Sequence, residues 1–147
     1  MKKTALALML LFAFPLFAQN VKVPAKVKDA FSKLYPKIAS VKWDKESAKE
    51  YEASFKDGVN ECTAAFDPAG NLLETEIQVA TGTLPSTASD FIKAKHPGFT
   101  IDKVFKITNS KKEVTFEAEI KKGKKMLEVS FMQDGKPIVK KGAPEKD

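Results

Sequence analysis

The chain has 147 residues, a formal net charge of +6 at pH 7, one Cys and one His. A single Cys excludes an intrachain disulfide, and one Cys with one His does not provide the ligand spacing of a standard metal site. Every basic side chain is Lys, which argues against a nucleic-acid-binding protein because such sites favour the planar guanidinium of Arg.

The first 18 residues have the layout of a cleavable secretory signal peptide. Lys2 and Lys3 precede an apolar run that is short for a membrane span, and Ala18 precedes the expected mature start at Gln19. Cleavage would leave 129 residues (147 − 18) with a formal charge of +4 (6 − 2). We therefore expect a periplasmic or secreted protein without a membrane span.

The sequence repeats itself in its two halves. Residues 51–58 read YEASFKDG and residues 116–123 read FEAEIKKG, an interval of 65 (116 − 51). Upstream, residues 23–36 match residues 84–97 at an interval of 61 (84 − 23), so we expect a longer loop in the second copy. Two units are too few for a solenoid, which favours an internally duplicated domain.

The repeat boundaries follow from these matches. We expect the first repeat over residues 19–80, the second over residues 81–141, and a charged, disordered tail over residues 142–147.

Each repeat is predicted to begin with a helix. Apolar residues recur at three- and four-residue steps from Val23 to Ile38 and again from Leu84 to Ile92, which is typical of one buried helical stripe. Pro36 is expected to end the first helix, and Ser86 or its neighbours to cap the second.

Antiparallel strands are predicted to follow each helix. Apolar residues alternate with polar ones from Tyr51 to Phe66 and from Val114 to Phe131, as in strands with one buried face. Short strands are expected near Val41–Trp43 and Val104–Phe105. The segments LLETEIQV and PIVKK are predicted to be final strands, with Gly supplying positive φ in the turns before them.

This element order predicts an α+β fold, a tandem duplication of one helix and a three- or four-stranded antiparallel sheet. One such unit has a small core and open sheet edges. Two units would therefore either share a core or extend one sheet.

The pattern resembles the PepSY-like, β-lactamase-inhibitor-like family of exported bacterial proteins. The resemblance is carried by AFSKLYP, Trp43, YEASFKDG and AAFDPAGNLLETE, and again by FIKAKHP, Phe105, FEAEIKKG and VSFMQDGKPI. It implies a fold whose sheet forms a binding surface, with protein binding or inhibition as its function and no catalysis. It supplies no target and no inhibitory residues.

Cys62 and His96 are the residues to weigh for reactive chemistry. Cys62 lies on the apolar face of its predicted strand, where a free thiol usually behaves as a small hydrophobe. A thiol nucleophile needs a base within hydrogen-bond reach, and His96 is the one imidazole. We therefore predict neither catalysis nor a cofactor.

The strand face opposite the helices is predicted to be acidic. If Tyr51 and Phe66 face the helices, alternation turns a set of carboxylates outward as a candidate docking face for a protein partner. The set is Glu52, Glu61, Glu117, Glu119 and Glu128. Polar residues alternating outward on any half-solvated sheet are the ordinary alternative.

Trp43 and Phe105 are aligned with each other and are further candidate binding residues, with core packing as the default interpretation.

The sequence thus favours an exported, monomeric, non-catalytic module that binds an unknown envelope protein, as an inhibitor or accessory factor. The alternative is a small-ligand or cation binder, for which carboxylate oxygens would suit Ca²⁺. An enzyme ranks last.

Overall fold

The computed structural model describes residues 21–138, which form two helices and one sheet of seven strands. The strands are antiparallel and lie in the sheet in sequence order, β1 to β7. In chain order the elements are α1 (Ala25–Leu34), β1 (Val41–Ser47), β2 (Glu50–Asp57), β3 (Asn60–Phe66), β4 (Leu72–Val79), a 3-10 turn (Thr81–Thr83), α2 (Ser86–Lys95), β5 (Thr100–Asn109), β6 (Val114–Lys122) and β7 (Lys125–Met132). The α+β class is confirmed.

The two helices pack over separate hydrophobic clusters on one face of the sheet. Phe31 of α1 lies over the first cluster, which includes Phe66, and Ile92 of α2 lies over the second, which includes Phe131. Each large apolar side chain that is fully buried contributes roughly 2–3 kcal/mol relative to exposure. Of the two arrangements expected, the chain therefore extends one sheet and keeps a core for each helix.

Strand register explains why both helices lie on the same face. Cys62 of the first cluster pairs with Ile77, which pairs with Lys106, which pairs with Phe116 of the second cluster. Residues paired across neighbouring strands point to the same face. The opposite side of the sheet carries neither helix, and we call it the open face.

The expected alignment of Trp43 with Phe105 is wrong by one residue. Trp43 pairs with Ala53, and the matching Ala118 pairs with Val104. Trp43 therefore corresponds to Val104 and packs on the helix side, with its ring 5.5 Å from that of Phe31. Because successive strand residues point to opposite faces, Phe105 lies on the open face.

The ends of the helices agree in part with expectation. Helix α1 ends at Leu34, two residues before Pro36, as the restriction on residues before proline requires. The expected cap at Ser86 is wrong, because α2 begins after Pro85 without a side-chain cap hydrogen bond. The Thr87 hydroxyl instead donates to the Asp134 carbonyl at 2.7 Å, which joins α2 to the turn after β7.

The glycine turns fit closely under the helices. Gly70 and Gly135 have φ of +88° and +82°, a region that residues with a Cβ rarely adopt. A Cβ on Gly70 would lie 2.7 Å from the Lys26 carbonyl of α1, and one on Gly135 would lie 2.0 Å from Thr87 Oγ1 of α2. The same approach of turn to helix occurs in both halves.

Strand lengths differ from the prediction in the second half. The strand expected around Val104–Phe105 is β5, which runs over ten residues. Four residues (110–113) join β5 to β6, whereas only two (48–49) join β1 to β2 in the first half. The loop is therefore longer in the second half, as expected. The segment LLETEIQV is strand β4. In the described part of PIVKK only a single bridge forms, between Pro137 and Phe131.

Three expectations concern residues outside the described range: the signal peptide (1–18), the last part of PIVKK (139–141) and the tail (142–147). Within residues 21–138, neither helix has the length and apolar character needed to cross a membrane.

Candidate binding site on the open face of the sheet

The open face is built from three neighbouring rows of paired residues. One row runs Asp44, Glu52, Ala65, Glu74, Asn109; the next runs Lys42, Ser54, Thr63, Glu76, Ile107, Thr115; the third runs Gln78, Phe105, Glu117, Ser130. Beyond the third row, Lys103 pairs with Glu119, which pairs with Glu128. Glu61 precedes the helix-side residue Cys62 on β3 and therefore also points to this face. The structure thus brings all five predicted carboxylates onto one surface, together with Glu74 and Glu76 of β4.

Two of the predicted carboxylates are buried rather than exposed, which corrects the sequence prediction. Glu52 is 4% exposed and Glu117 is 9% exposed. Each lies near a serine: Ser54 Oγ donates to Glu52 over a long 3.5 Å, and Ser130 Oγ donates to Glu117 over 3.3 Å. These two carboxylates therefore lie at the floor of the face rather than at its rim.

Burial changes the acidity of Glu52. Desolvation, with the negative charges of Glu46 and Asp44, raises the pKa of this carboxyl to about 7, and the hydrogen bond from Ser54 opposes the rise. Near neutral pH the group is therefore divided between its charged and neutral forms.

Glu76 is a site residue that the sequence prediction missed. It lies on β4, the middle strand of seven, and is 4% exposed. Its Oε2 is buried and has no hydrogen-bond partner. The signal for it was present, because Glu74, Glu76 and Gln78 alternate with Thr75, Ile77 and Val79 along β4.

The surroundings of Glu76 raise its pKa to about 8, with burial as the main cause and nearby negative charges adding to it. Those charges belong to Glu117, Glu52, Glu74 and Glu128. A buried polar atom without a partner costs on the order of 1–3 kcal/mol. This centre of the open face therefore holds an oxygen that the described chain does not satisfy.

Glu61 and Lys103 form an ion pair at the border of the face. Lys103 Nζ lies 2.7 Å from Glu61 Oε2, and both side chains are partly exposed. The Glu61 amide donates to Gln78 Oε1 at 3.2 Å. The hydrogen bond to Glu61 raises the pKa of the Lys103 ammonium, which stays charged.

Glu119 and Glu128 are the more accessible carboxylates of the predicted set. Glu119 is half-buried, and Glu128 is exposed on β7 directly opposite it. Burial raises the pKa of Glu119, while the charge of Lys103 opposes the rise. Glu119 pairs with Lys103 on β5 and with Glu128 on β7, so three charged side chains lie side by side at this edge of the face.

A groove of about 940 Å³ opens over part of this face. Glu76 and Phe105 lie within it, and the connection from α1 to β1 (residues 37–40) borders it. Phe105 is 4% exposed although it lies opposite the helices, so it supplies an apolar wall beside the Glu76 carboxylate. Trp43, by contrast, packs among Phe31 and Phe66 on the helix side.

Cys62 and His96 do not form a reactive pair. Cys62 is 5% exposed and belongs to the first hydrophobic cluster, and burial raises the pKa of its thiol. His96 follows α2 in the other half, where its ring lies 6.4 Å from that of Phe91. Among residues 21–138, no group of three or more His, Cys, Asp or Glu side chains is placed to hold a metal ion.

The structure thus combines a sheet covered by two helices on one side with a groove that contains carboxylates on the other. The sequence matches the model of the family described as "Putative beta-lactamase-inhibitor-like, PepSY-like" over residues 18–60 and 49–138. The chain belongs to this PepSY-like family.

Solved structures with the same fold come from species of Bacteroides. A "putative periplasmic" protein of Bacteroides eggerthii matches with a TM-score of 0.69 and 17% identity, over 81% of this chain and 88% of that one. A DUF2874 family protein of Bacteroides uniformis gives 0.66 and 19%, over 79% and 86%. A BLIP-like protein of Bacteroides fragilis gives 0.62 and 21%, over 87% and 94%. No curated protein matches the sequence significantly.

Proposed function

We propose that this protein is an exported, non-catalytic binding module whose open face docks a protein partner with a basic surface. One observation carries the proposal: a groove of about 940 Å³ opens on the helix-free side of the sheet, and the buried Glu76 in it lies among the negative charges of Glu117, Glu52 and Glu74. The family description and the BLIP-like neighbour support protein binding as the class of function.

Charge complementarity is what selects a basic partner. Glu119 and Glu128 lie directly opposite one another on β6 and β7, so two like charges meet at the rim of the face. Glu52, Glu76 and Glu117 place further carboxylates on the floor of the same face. A positively charged surface would relieve this repulsion on docking, and rim charges would accelerate the association.

The chain organisation fits an exported accessory factor or inhibitor. We infer a leader at residues 1–18 from its two lysines and apolar run. We also infer tandem repeats at 19–80 and 81–141, since Ala53 and Ala118 hold matching positions in the two halves. A neighbour with the same fold is described as "putative periplasmic", which agrees with action on a partner in the envelope. The proposed partner is an envelope protein with a basic surface.

The test uses paired charge reversals on the two faces. The variant Glu119→Lys with Glu128→Lys reverses two charges of the face. Because Glu119 also pairs with Lys103 on β5, the urea midpoint of the variant is compared with that of the original protein before binding is measured. Burial of Glu117 makes it unsuitable for reversal. The control variant Asp29→Lys with Asp90→Lys changes charge equally on the exposed sides of the two helices.

The readout is capture of an envelope protein by each immobilised variant, followed by association kinetics at low salt. The proposal expects the open-face variant to lose at least about tenfold in association rate and the control to retain the rate of the original protein. Equal association rates for the two variants would contradict docking on the open face.

A small-ligand binder is the second candidate, because the groove has the volume of small-molecule sites, which span roughly 300–1,000 Å³. Calorimetry with Ca²⁺ and with small organic cations addresses it. Saturable binding of a small cation that is unaffected by the paired reversal of Glu119 and Glu128 would favour this candidate over protein docking.

A further inference from the structure

We propose that Glu76 is the receiving group for one basic side chain of the protein partner, whose ammonium or guanidinium enters the groove beside Phe105. This inference rests on the proposed function and adds to it the point of anchoring and the chemistry of the anchor. It concerns a residue on the central strand that neither the family resemblance nor the acidic-face prediction singled out.

The first step is the unpartnered oxygen of Glu76. The side chain is 4% exposed and its Oε2 lacks a hydrogen-bond partner, yet the residue lines an open groove. A donor that arrives through the groove would remove the cost of leaving this oxygen unsatisfied. An ammonium or guanidinium makes the stronger, charge-assisted form of that bond.

The second step is the sign of the surrounding charge. Glu52, Glu74 and Glu117 approach Glu76 from strands β2, β4 and β6 and act on it electrostatically. Four lysines also line the groove: Lys37, Lys42, Lys56 and Lys103. Lys103 is held by Glu61 at 2.7 Å and Lys42 by Asp44 at 2.9 Å. The charges that act on the Glu76 carboxyl itself are negative, which favours a cation there over a neutral hydrogen-bond donor.

The third step is the shape of the wall. Glu76 pairs with Thr63 on β3 and with Ile107 on β5. Phe105 lies two residues before Ile107 on β5 and points to the same face. These side chains offer contact for the methylene stem of Lys or Arg, while the charged end reaches the carboxylate. The site thus accommodates a long basic side chain better than a bare ion.

Binding by this route releases a proton. The carboxyl of Glu76 must be ionised to accept a cation, and its pKa of about 8 leaves it largely protonated at pH 6. The charges that act on it are those of Glu117, Glu52, Glu74 and Glu128. The groove around it is lined in addition by Glu61, Glu119, Lys37, Lys42, Lys56 and Lys103. Affinity for the basic side chain is therefore expected to rise by up to about tenfold for each pH unit between 6 and 8.

The experiment uses three blocked five-residue peptides that carry Lys, Arg or norleucine at the centre between alanines. Binding is followed by perturbation of the ¹H–¹⁵N spectrum of the full chain, which detects weak affinities and maps the face involved. The Lys or Arg peptide is expected to perturb β3 to β5 and to bind at least about tenfold more tightly than the norleucine peptide.

Two variants test the role of Glu76 itself. Glu76→Gln is expected to remove this preference and its pH dependence, whereas the matched Glu113→Gln, which removes one carboxylate in the exposed β5–β6 turn, should change affinity by less than about threefold. Equal losses in the two variants would show a diffuse electrostatic effect and overturn the site. Affinity that falls as pH rises would overturn it too, because the receiving group would then be a neutral carboxyl.

Thr63→Lys keeps the inference testable if Glu76→Gln does not fold. Thr63 lies directly opposite Glu76, so the new ammonium is expected to occupy the site and block the Lys peptide. Unhindered peptide binding to this variant would contradict the inference. Equal binding of all three peptides to the open face would overturn the proposal that Glu76 receives a basic side chain, but it would leave protein docking intact. Protein docking is tested separately by the paired reversals at Glu119 and Glu128.

Discussion

Lys103 Nζ on β5 lies 2.7 Å from Glu61 Oε2 on β3, so one ion pair reaches across the central strand and joins the two halves of the sheet. Each half has its own helix and hydrophobic cluster. The two halves are joined by the β4–β5 strand pairing and by this ion pair. The pair lies beside the groove that contains Glu76.

The ion pair is expected to contribute little to stability. Because both side chains are partly exposed, the coupling energy between Lys103→Met and Glu61→Gln should not exceed about 1 kcal/mol. Urea unfolding of the two single variants and the double variant measures it. A coupling of several kcal/mol would mean that the pair fixes the two halves of the sheet together.

The raised pKa values predict that stability decreases as pH rises. The carboxyls of Glu52 and Glu76 have folded-state pKa values of about 7 and about 8, above the ordinary value of 4.5. Between pH 4.5 and 8 the folded protein holds protons that the unfolded chain has released, so raising the pH favours unfolding. The contribution of these groups is fully present below pH 4.5 and is lost by about pH 8.

Glu76→Gln isolates this effect. The variant should gain stability relative to the original protein as the pH is raised from 5 to 9, by on the order of 2–4 kcal/mol. Urea midpoints at the two pH values give the difference, and Glu113→Gln in the exposed β5–β6 turn serves as the control. A difference that stays constant with pH would contradict the burial of Glu76.

The turn at Gly135 is expected to tolerate no side chain. Gly135→Ala would require φ of +82° and place a Cβ 2.0 Å from Thr87 Oγ1, whereas Gly123→Ala requires φ of +60° but meets nothing within 4 Å. Thermal unfolding should show a cost of about 1 kcal/mol for Gly123→Ala and at least about 2 kcal/mol more for Gly135→Ala. Equal costs would show that contact with α2 is unimportant.

The thiol of Cys62 is expected to react slowly. It is 5% exposed and belongs to the first hydrophobic cluster, so a thiol reagent should label the native protein far more slowly than the urea-unfolded chain. Cys62→Ala should cost on the order of 1 kcal/mol or somewhat more while leaving partner binding intact. Rapid labelling of the native protein would be inconsistent with this burial.

The sequence predicts the elements well where one physical signal dominates. Alternation from Tyr51 to Phe66 fixes which side of β2 and β3 faces the helix, and Pro36 marks the end of α1. Positive φ at Gly70 and Gly135 agrees with the turn chemistry expected at both positions.

Register and burial could not be predicted in the same way. The one-residue error between Trp43 and Phe105 reverses the face of an aromatic side chain, because strand side chains alternate with a period of two. Composition also cannot show that Glu52 and Glu117 are shielded. Their burial depends on how the sheet is assembled: strands β4 and β5, which carry Glu76 and Phe105, lie between the strands of Glu52 and Glu117.

The most direct test of the central claim is photo-crosslinking in intact cells with benzoylphenylalanine placed at one position of each face. Ser54 on the open face and Lys93 on the exposed side of α2 are suitable positions. Docking on the open face predicts a crosslinked adduct with an envelope protein from position 54 and none from position 93. An adduct from position 93 alone, or equal adducts from both positions, would contradict docking on the open face.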